Sequence, residues 1–236
     1  MIIVLVPPGV AAGRRERLEE AEAHHLRVRR VADGEPVELR DGAGLVGRGR
    51  LVIAGRGFEV EIETAGRRDR PAALTLGVGA GDRERFGWLV EKAAELGATS
   101  VVPLETEHSR AVANRVREAQ LDKLRRQALE AVKQCGAAWA VEVQPLTRLS
   151  DFLAGELVGH RWIADPAGAI PPAAMAEEPT TVLVGPEGGF SPAESGAATA
   201  AGYRPIALAP YILRFETAAL AAAAAVTTAR QRGAHG

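Results

Sequence analysis

The chain has 236 residues, of which 47% are hydrophobic and 25% are charged, as is usual for a globular protein. Its formal net charge of −1 excludes a molecule that attracts nucleic acid over its whole surface, so any such partner must be held by a local patch. The single cysteine, Cys135, excludes an internal disulfide framework and fits a reducing compartment. The opening MIIVLVPP lacks a basic n-region and predicts a first strand rather than a signal peptide, so we expect a cytoplasmic protein.

Residues 1–70 are predicted to form a small, β-rich, barrel-like domain. The sequences ADGEP and RDGAG carry turn signals between short β-type segments, and one stretch of mixed charge, 13–30, is predicted to be helical. A polar, basic segment at 66–72, GRRDRPA, is the expected linker to the next domain. The expected strands lie at about 2–6, 36–40, 44–54 and 57–64.

Residues 72–236 are predicted to form an α/β domain, because apolar strands alternate with helical patterns. This alternation favours a mostly parallel sheet covered by helices on both faces. The expected strands are 73–78, 100–104, 140–143, 160–164, 181–185 and 204–208. The expected helices are at about 82–96, 113–134, 148–154, 192–201 and 216–231.

The first glycine-rich segment is G-V-G-A-G-D at 77–82, which follows a strand and opens a helix as a dinucleotide-binding turn does. Its third glycine falls at 81 and is followed by Asp82, which departs from the dinucleotide fingerprint. Asp82 is a natural N-cap, so a glycine turn into a capped helix is the preferred interpretation. An NAD-dependent oxidoreductase is the alternative that this segment leaves open.

The second glycine-rich segment is L-V-G-P-E-G-G-F-S-P-A-E-S at 183–195. Ser191 as N-cap, Pro192 at the first helical position and Glu194 in a capping box explain its second half. Capping requires nothing of Gly185–Gly189, which lies where parallel sheets bind ligands, beyond a strand's carboxyl end. No lysine follows the glycines, so a phosphate-binding P-loop is not expected. Glu187 favours a ligand with hydroxyl groups or positive charge.

A third segment, L-A-P-Y-I-L-R-F-E-T-A-A-L-A-A at 208–222, joins a strand to an alanine-rich helix. Arg214 and Glu216 stand in otherwise apolar sequence, either as a surface salt bridge or as part of a site. The helix is expected to be buried, in the core or against a second subunit. Its apolar run is too short to span a bilayer, and we expect no membrane association.

Two further patterns concern ligands. His108 follows a strand, but no HxxxH or CxxC pair accompanies it, so we predict no metal. Basic residues cluster in 14–30 and 110–133, which is typical of a solvated helix face but also supplies phosphate contacts.

Together these segments resemble the RsmE family of 16S ribosomal RNA uridine N3-methyltransferases, in the SPOUT superfamily. The resemblance rests on LVGPEGGFSPAE, on the loop and helix L-A-P-x-I-L-R-x-E-T-A-A-L-A, and on E-R-x-x-W-L-V-E-K-A-A-E-L-G-A with P-L-x-T-E-H-S. His24, Arg27, Val28 and Arg30 match the family's His-x-x-Arg-Val-x-Arg pattern, and Asp41-Gly42 match its Asp-Gly turn.

The resemblance implies a PUA-like RNA-binding barrel at 1–70 and a SPOUT methyltransferase domain with a trefoil knot at 72–236. It implies S-adenosylmethionine as cofactor and a homodimer formed through the C-terminal domain. The partner would be 16S ribosomal RNA or the small ribosomal subunit, and the reaction would methylate N3 of one uridine, 1498 in the usual numbering.

The resemblance also implies site residues. Arg214 is the candidate for electrostatic stabilisation or phosphate anchoring, and Glu216 for orienting Arg214 or helping to remove a proton. The implied cofactor-binding residues are Leu183, Val184, Gly185, Pro186, Glu187, Gly188, Gly189, Leu208, Ala209, Pro210, Ile212, Leu213 and Thr217. The implied RNA-binding residues are Arg14, His24, Arg27, Arg30 and Arg110.

Two positions differ from the family pattern. An arginine that usually follows the E-Q-S/C-G stretch is replaced by the pair Ala137-Ala138, and His108 replaces the usual arginine of T-E-R-S. The alternatives left open are a SPOUT enzyme acting on another RNA and a non-catalytic RNA-binding protein.

Overall fold

The structure is a computed structural model that describes residues 1–156 and 158–234. The chain divides into two compact units, the first formed by 1–70 with 129–140 and the second by 71–128 with 141–236. The first unit thus contains a later segment, 129–140, that lies far beyond residue 70 in the sequence. Within the described ranges, no helix is long and apolar enough to cross a membrane.

The first unit is built on a five-stranded sheet in the order β1-β3-β4-β5-β2. β1 runs parallel to β3, and the other neighbours are antiparallel. Alternating side chains of the strands, with Leu26 of the helix, form the core of this unit. Its elements are β1 (Ile2–Leu5), β2 (Arg15–Arg17), α1 (Glu20–Arg29), β3 (Pro36–Arg40), β4 (Leu45–Ala54) and β5 (Gly57–Arg67).

The predicted helix at 13–30 is wrong in its first part, because Arg15–Arg17 is a strand and the helix begins at Glu20. The strand pairs with β5, where Glu61 lies opposite Arg15 and Glu59 lies opposite Arg17. Arg15 Nη2 and Glu61 Oε2 are 3.7 Å apart. Opposite charges across neighbouring strands favour this pairing, and the partner strand lies more than 40 residues further along the chain.

A buried ion cluster lies inside the first unit. Lys133 Nζ is 2.6 Å from Glu22 Oε1 and 2.6 Å from Glu130 Oε2, and the amide of Leu5 donates to Glu22 at 3.3 Å. The side chains of Lys133 and Glu22 are only 8% and 5% exposed. Burial disfavours the charged lysine, but the hydrogen bonds to Glu130 and Glu22 outweigh it and raise the pKa of Lys133.

The second unit is an α/β fold, and the predicted parallel sheet is confirmed. Its strands follow the order β12-β10-β11-β6-β7-β8, with β9 also paired to β7, and each neighbouring pair is parallel. The strands are β6 (Leu74–Gly79), β7 (Ser100–Glu105), β8 (Glu142–Val143), β9 (Thr147–Arg148), β10 (His160–Ala169), β11 (Thr180–Val184) and β12 (Arg204–Ile206). The helices are α2 (Arg83–Glu95), α4 (Leu149–Ala154), α5 (Pro192–Ala200) and α6 (Phe215–Ala234), and the first half of α3 (Leu121–Cys135), whose second half belongs to the first unit.

The third helix starts later than the predicted 113, because the preceding segment is occupied by tertiary hydrogen bonds. The carbonyl of Asn114 accepts from the amide of Arg83 at 3.1 Å, and the amide of Val116 donates to the carbonyl of Gly81 at 3.0 Å. Backbone groups used in this way are not available to a helix. Short 3₁₀ turns at 108–111 and 118–120 precede α3 instead.

The alanine-rich helix α6 lies in the core of its own unit, one of the two predicted locations. It packs against α2, β6 and β11, and Ala219, Ala222, Ala223 and Val226 have no exposed surface. At its start, the rings of Phe215 and Phe86 stack with centroids 6.4 Å apart. Small side chains let α6 approach the sheet closely, which fixes the loop that precedes it.

Candidate active site

A cavity of about 460 Å³ opens where several parallel strands end. The carboxyl ends of neighbouring parallel strands meet at one edge of a sheet, and ligands bind in that crevice. Segments following β11 and β12 line the cavity together with the distal part of β10 and the starts of α2 and α6. The lining residues are Arg85, Ala164, Asp165, Pro166, Val184, Gly185, Pro186, Glu187, Gly189, Ile206, Leu208, Ala209, Tyr211, Ile212, Leu213, Arg214, Phe215 and Ala218.

Glycine allows the ends of β6 and β11 to approach each other at this edge. A Cβ atom on Gly79 would lie 2.4 Å from Pro186 Cδ and 2.5 Å from its nitrogen. A Cβ atom on Gly185 would lie 2.8 Å from the backbone of Gly189, which has a φ of +70°. The cavity floor therefore depends on backbone packed against backbone.

The side chain of Glu187 is held by the first glycine-rich segment. Its Oε1 accepts a hydrogen bond from the amide of Asp82 at 3.0 Å, and a Cβ atom on Gly81 would lie 2.8 Å from its Oε2. The space beside the glycines of 77–82 is therefore filled by protein rather than left for a dinucleotide.

The predicted N-cap at Asp82 is confirmed. Its Oδ1 accepts from the amides of Glu84 at 2.9 Å and Arg85 at 3.0 Å, and its Oδ2 accepts from Asn114. The hydrogen bond from the Arg85 amide leads the effects that lower the pKa of Asp82, so the carboxylate is ionised at neutral pH.

The predicted capping box at the start of α5 is confirmed, and its glutamate, Glu194, also contacts the segment that follows β7. Glu194 accepts from the amide of Ser191 through Oε2 at 2.9 Å, while the amide of Glu194 donates to Ser191 Oγ at 3.3 Å. Glu194 Oε1 also accepts from the amide of Glu107 at 2.8 Å. This one carboxylate ties the end of β7 to the loop after β11.

His108 also makes hydrogen bonds to the loop that follows β11. Its Nδ1 is 2.8 Å from the carbonyl oxygen of Gly188 and 3.1 Å from that of Gly189. Carbonyl oxygens only accept, so Nδ1 must carry the hydrogen. A Cβ atom on Gly188 would lie 3.0 Å from His108 Cβ, and glycine at 188 therefore makes room for the imidazole. The sequence predicted no such role for His108.

Two arginines and a buried glutamate lie at the start of α6. Arg85 Nε is 4.0 Å from Glu216 Oε1, and Glu216 is only 7% exposed. Glu216 Oε2 is buried and has no hydrogen-bond partner among the described residues. Arg214 is exposed and lines the cavity, and within 1–156 and 158–234 its side chain has neither a hydrogen bond nor an ion pair. The structure therefore pairs Glu216 with Arg85.

The structure brings most of the proposed cofactor residues together around the cavity. Those in its lining are Val184, Gly185, Pro186, Glu187, Gly189, Leu208, Ala209, Ile212 and Leu213. Leu183 is instead fully buried in the core, Gly188 packs against His108, and neither Pro210 nor Thr217 is among the lining residues.

Sequence reasoning missed several lining residues, among them Arg85, Asp165 and Phe215. Asp165 had a usable signal, because a carboxylate directly after the predicted strand 160–164 obeys the same strand-end rule as Glu187. Arg85 is the arginine of the E-R-x-x-W motif that contributes to the family resemblance, but nothing in that motif placed it at the cavity.

The candidate RNA-binding residues of the first unit, Arg14, His24, Arg27 and Arg30, are all exposed. Arg27 donates to the carbonyl of Arg56 at 2.8 Å and pairs with Glu20. Arg27 lies in a surface groove whose other lining residues are Arg17, Glu20, Ile53, Gly55, Arg56, Gly57 and Phe58. The remaining candidate, Arg110 of the second unit, is exposed and lies 3.6 Å from Glu105 through its Nε.

Comparisons with known proteins match both parts of the chain. Residues 68–227 match the family described as RNA methyltransferase domain, and residues 18–63 match the family described as RNA methyltransferase PUA domain.

Individual relatives agree. The ribosomal RNA small subunit methyltransferase E of Aquifex aeolicus is 31% identical over 212 residues, which cover 85% of this chain and 89% of the relative. The crystal structure of the Neisseria gonorrhoeae protein of the same name, bound to S-adenosyl methionine, is 27% identical, covers 97% of both chains and has a TM-score of 0.87. A Legionella pneumophila methyltransferase in complex with the same cofactor is 25% identical, also covers 97% of both chains and has a TM-score of 0.84.

Proposed function

The chain belongs to the ribosomal RNA small subunit methyltransferase E family, and from this membership we infer that it methylates 16S ribosomal RNA with S-adenosylmethionine. We place this reaction in the cytoplasm, on the RNA or on the small ribosomal subunit. The observation that carries the inference is the cavity of about 460 Å³ at the strand ends, bounded by the two loops that the sequence singles out.

The residues around the cavity fit this cofactor. The volume lies in the range of small-molecule sites, which are largely apolar with a few placed polar groups. Val184, Leu208 and Leu213 offer an apolar surface for an adenine ring. Asp165 and Glu187 place carboxylates in the lining, which suits a ligand with hydroxyl groups and positive charge.

We assign cofactor binding to the loop that follows β11 and to residues 208–217. Gly185 lets the loop fold back closely on itself, and the space beside Gly189 is open, so main-chain groups at Gly189 are available to the adenine and ribose. The full proposed set is Leu183, Val184, Gly185, Pro186, Glu187, Gly188, Gly189, Leu208, Ala209, Pro210, Ile212, Leu213 and Thr217.

When bound, S-adenosylmethionine supplies an electrophilic methyl group on a positively charged sulfur. The chain's own tasks are to align the target and to stabilise charge. N3 of uracil carries a proton at neutral pH, and its loss spreads negative charge onto the flanking carbonyl oxygens. We assign stabilisation of this charge, or anchoring of a phosphate, to Arg214, which is exposed at the cavity. For Glu216 we propose the orientation of an arginine, because it pairs with Arg85 and does not itself line the cavity, where it would have to lie to remove the proton.

We assign RNA binding mainly to the first unit, with residues 1–70 as a PUA-like domain and 72–236 as the methyltransferase domain. Arg14, His24, Arg27 and Arg30 are exposed cations or titratable groups available to phosphates. Arg110 is the candidate in the second unit. The target uridine must leave its stack to reach the cavity, as bases do in enzymes of this kind.

We further propose a homodimer formed through the second unit. Tyr211 and Ile212 are 81% and 90% exposed although both also line the cavity. Large apolar side chains at such a loop favour cover by another protein surface, here a second copy of the chain. The trefoil knot implied by the family resemblance is part of the same proposal.

The test is methylation of small ribosomal subunits that lack the modification, using the full chain and S-adenosylmethionine. Nucleoside mass spectrometry is expected to detect N3-methyluridine, and mapping of the RNA is expected to place it at position 1498. Another modified base, or a modified position in another RNA, would contradict the proposed substrate.

The role of Arg214 is tested by Arg214→Ala. Removing a group that stabilises transition-state charge is expected to reduce turnover on the order of 10²-fold. Arg204→Ala is the matched control, because Arg204 is exposed on β12 and does not line the cavity. Normal turnover of Arg214→Ala would remove this residue from the mechanism.

A further inference from the structure

Arg85 is a cation of the cavity to which the sequence analysis assigned no role, although it is the arginine of the E-R-x-x-W motif. It lies in the first turn of α2, where its amide donates to Asp82 Oδ1 at 3.0 Å and so fixes the start of the helix. Its side chain is 42% exposed and lines the cavity. An arginine in this position presents a planar set of donors on a rigid support.

Glu216 forms an ion pair with that arginine, with its Oε1 4.0 Å from Arg85 Nε. Its side chain is 9% exposed, and a buried carboxylate requires a compensating partner. In the part of the chain that the structure describes, Arg85 is the cation within 4.0 Å of this carboxylate. Glu216 itself is not among the cavity-lining residues, whereas its neighbour Phe215 is. The buried acid therefore acts through Arg85 rather than directly on a ligand.

We propose that Arg85 contacts a carbonyl oxygen of the target uracil and stabilises its developing negative charge, with Glu216 as the residue that positions Arg85. This inference rests on the proposed function. In the step concerned, N3 loses its proton to solvent and its electron pair forms the new bond to the methyl carbon. The carbon–sulfur bond breaks, its electron pair stays on sulfur, and the cationic sulfonium becomes a neutral thioether. A fixed guanidinium beside the carbonyl oxygen lowers the barrier because the charge it meets exists only after N3 loses its proton.

Arg85 and Arg214 are the two cations among the described residues that line the cavity, and Arg85 is the one with an ionic partner. Asp82 is occupied by two backbone amides and Asn114, and Glu187 by the amide of Asp82. Asp165 of β10 accepts from the amide of Ala167 at 2.8 Å. Arg214, at the start of α6, has no side-chain partner among the described residues and is free to contact a phosphate or swing out of the site. Arg85, paired with Glu216, is thus the pre-positioned cation that electrostatic catalysis requires.

The experiment is single-turnover methylation of unmodified small subunits at saturating S-adenosylmethionine, followed across pH. Arg85→Ala is expected to lower the rate at neutral pH on the order of 10²-fold. Because the uracil then ionises without help, the apparent pKa of the rate profile is expected to rise, and the defect is expected to shrink at alkaline pH. Glu216→Gln is expected to shift the profile in the same direction by less, since the guanidinium remains but is less firmly held.

The matched control is Arg83→Ala, because Arg83 is an exposed arginine two residues earlier in the same turn and does not line the cavity. It is expected to retain the rate and profile of the natural protein. Guanidinium ion added to Arg85→Ala is expected to restore part of the rate. Should Arg85→Ala fail to fold, Arg85→Lys carries the test, with a smaller loss and the same upward shift.

Three outcomes overturn the inference. One is an Arg85 variant with a normal rate. Another is a variant that binds RNA more weakly but keeps an unchanged pH profile, which would make Arg85 a phosphate contact. The third is a loss confined to S-adenosylmethionine affinity, measured by calorimetry. If the unaltered protein itself does not methylate small subunits, the proposed function fails instead, and the two failures are distinct.

Discussion

Glycine serves two different physical purposes in the two units. In the turns of the first unit, Gly9, Gly34 and Gly55 have positive φ angles, and a Cβ atom on any of them would meet nothing within 4 Å. At the cavity edge of the second unit, Gly79 and Gly185 have no positive φ, but a Cβ atom would lie within 3.0 Å of neighbouring backbone. The first group permits a conformation, and the second permits a close approach. Substitution of a glycine is therefore expected to have different consequences in the two units, although the glycine-rich segments look alike in the sequence.

The two units also differ in how their buried charges are paired. The first unit contains an ion pair in which both side chains are largely buried, Glu22 and Lys133. In the second unit, Glu216 is buried but Arg85 is partly exposed at the cavity. One pair is positioned to hold a core together, and the other is positioned at a surface where a ligand is expected.

The largest effect is expected from breaking the ion pair of the first unit. Among the described residues, Lys133→Met leaves the buried Glu22 with the Leu5 amide as its remaining partner, and it is expected to lower the free energy of unfolding by about 3 kcal/mol. Hydrogen exchange of β4 amides measures this loss. The double variant Lys133→Met with Glu22→Leu removes both charges and is expected to recover most of it. A double variant as unstable as the single one would show that packing, not charge, holds this position.

Gly79→Ala is expected to have the next largest effect, and it tests the close-approach group. The new methyl group would overlap the backbone nitrogen of Pro186, so the strand ends must separate, at a cost of about 1–3 kcal/mol. Because the cavity floor moves with them, S-adenosylmethionine is expected to bind at least about tenfold more weakly, a change equivalent to 1.4 kcal/mol. Calorimetry measures both the affinity and the melting temperature. Unchanged affinity would mean that the cavity does not depend on this contact.

Asp82→Ala is expected to have a moderate effect, because it removes a side-chain cap from α2. The expected loss in the free energy of unfolding is about 1 kcal/mol at neutral pH. The pKa of Asp82 is lowered on folding, so its stabilisation is fully present above its ordinary value of 3.8 and is lost as pH falls through the lower, folded-state value. Urea titrations are therefore expected to show a difference between the two proteins at pH 7 that shrinks in strong acid. Asp82→Asn, which can still cap, is the control.

Gly55→Asn is expected to have the smallest effect, within about 0.5 kcal/mol. Asparagine adopts positive φ more readily than most residues, and nothing lies within 4 Å of the new Cβ atom in this hairpin turn. Thermal unfolding of this variant beside Gly79→Ala sharpens the contrast between the two kinds of glycine. A loss at Gly55 equal to that at Gly79 would abolish the distinction.

Local patterns in the sequence predicted much of the second unit. The spacing of Phe86, Leu89, Val90 and Ala93 predicted α2, and these side chains are fully buried. The caps at Asp82 and Ser191 follow from a few neighbouring residues, and both are present. These features depend on interactions within one or two helical turns, which a single sequence displays directly.

Features that depend on distant segments were not predictable in this way. β2 exists because β5 pairs with it, and the late start of α3 reflects hydrogen bonds to 81–83. Arg85 and Asp165 join one cavity only because of the order in which the strands are arranged, with β10 beside β11 and β11 beside β6. Helical or strand periodicity gives the type of an element but not its neighbours. The set of residues that line the cavity could therefore be identified only from the structure.

The packing of α6 has a consequence for biosynthesis. This last helix rests on β6, the first strand of its unit, and Arg230 donates to the carbonyl of Ala72 at 3.0 Å. During translation, β6 and the residues around Gly79 emerge long before α6, which packs on them. About 140 further residues must be added first, at about 5–20 residues per second. Because residues between 206 and 218 supply much of the pocket lining, the methyl-donor site is complete only after this late part of the chain has been synthesised.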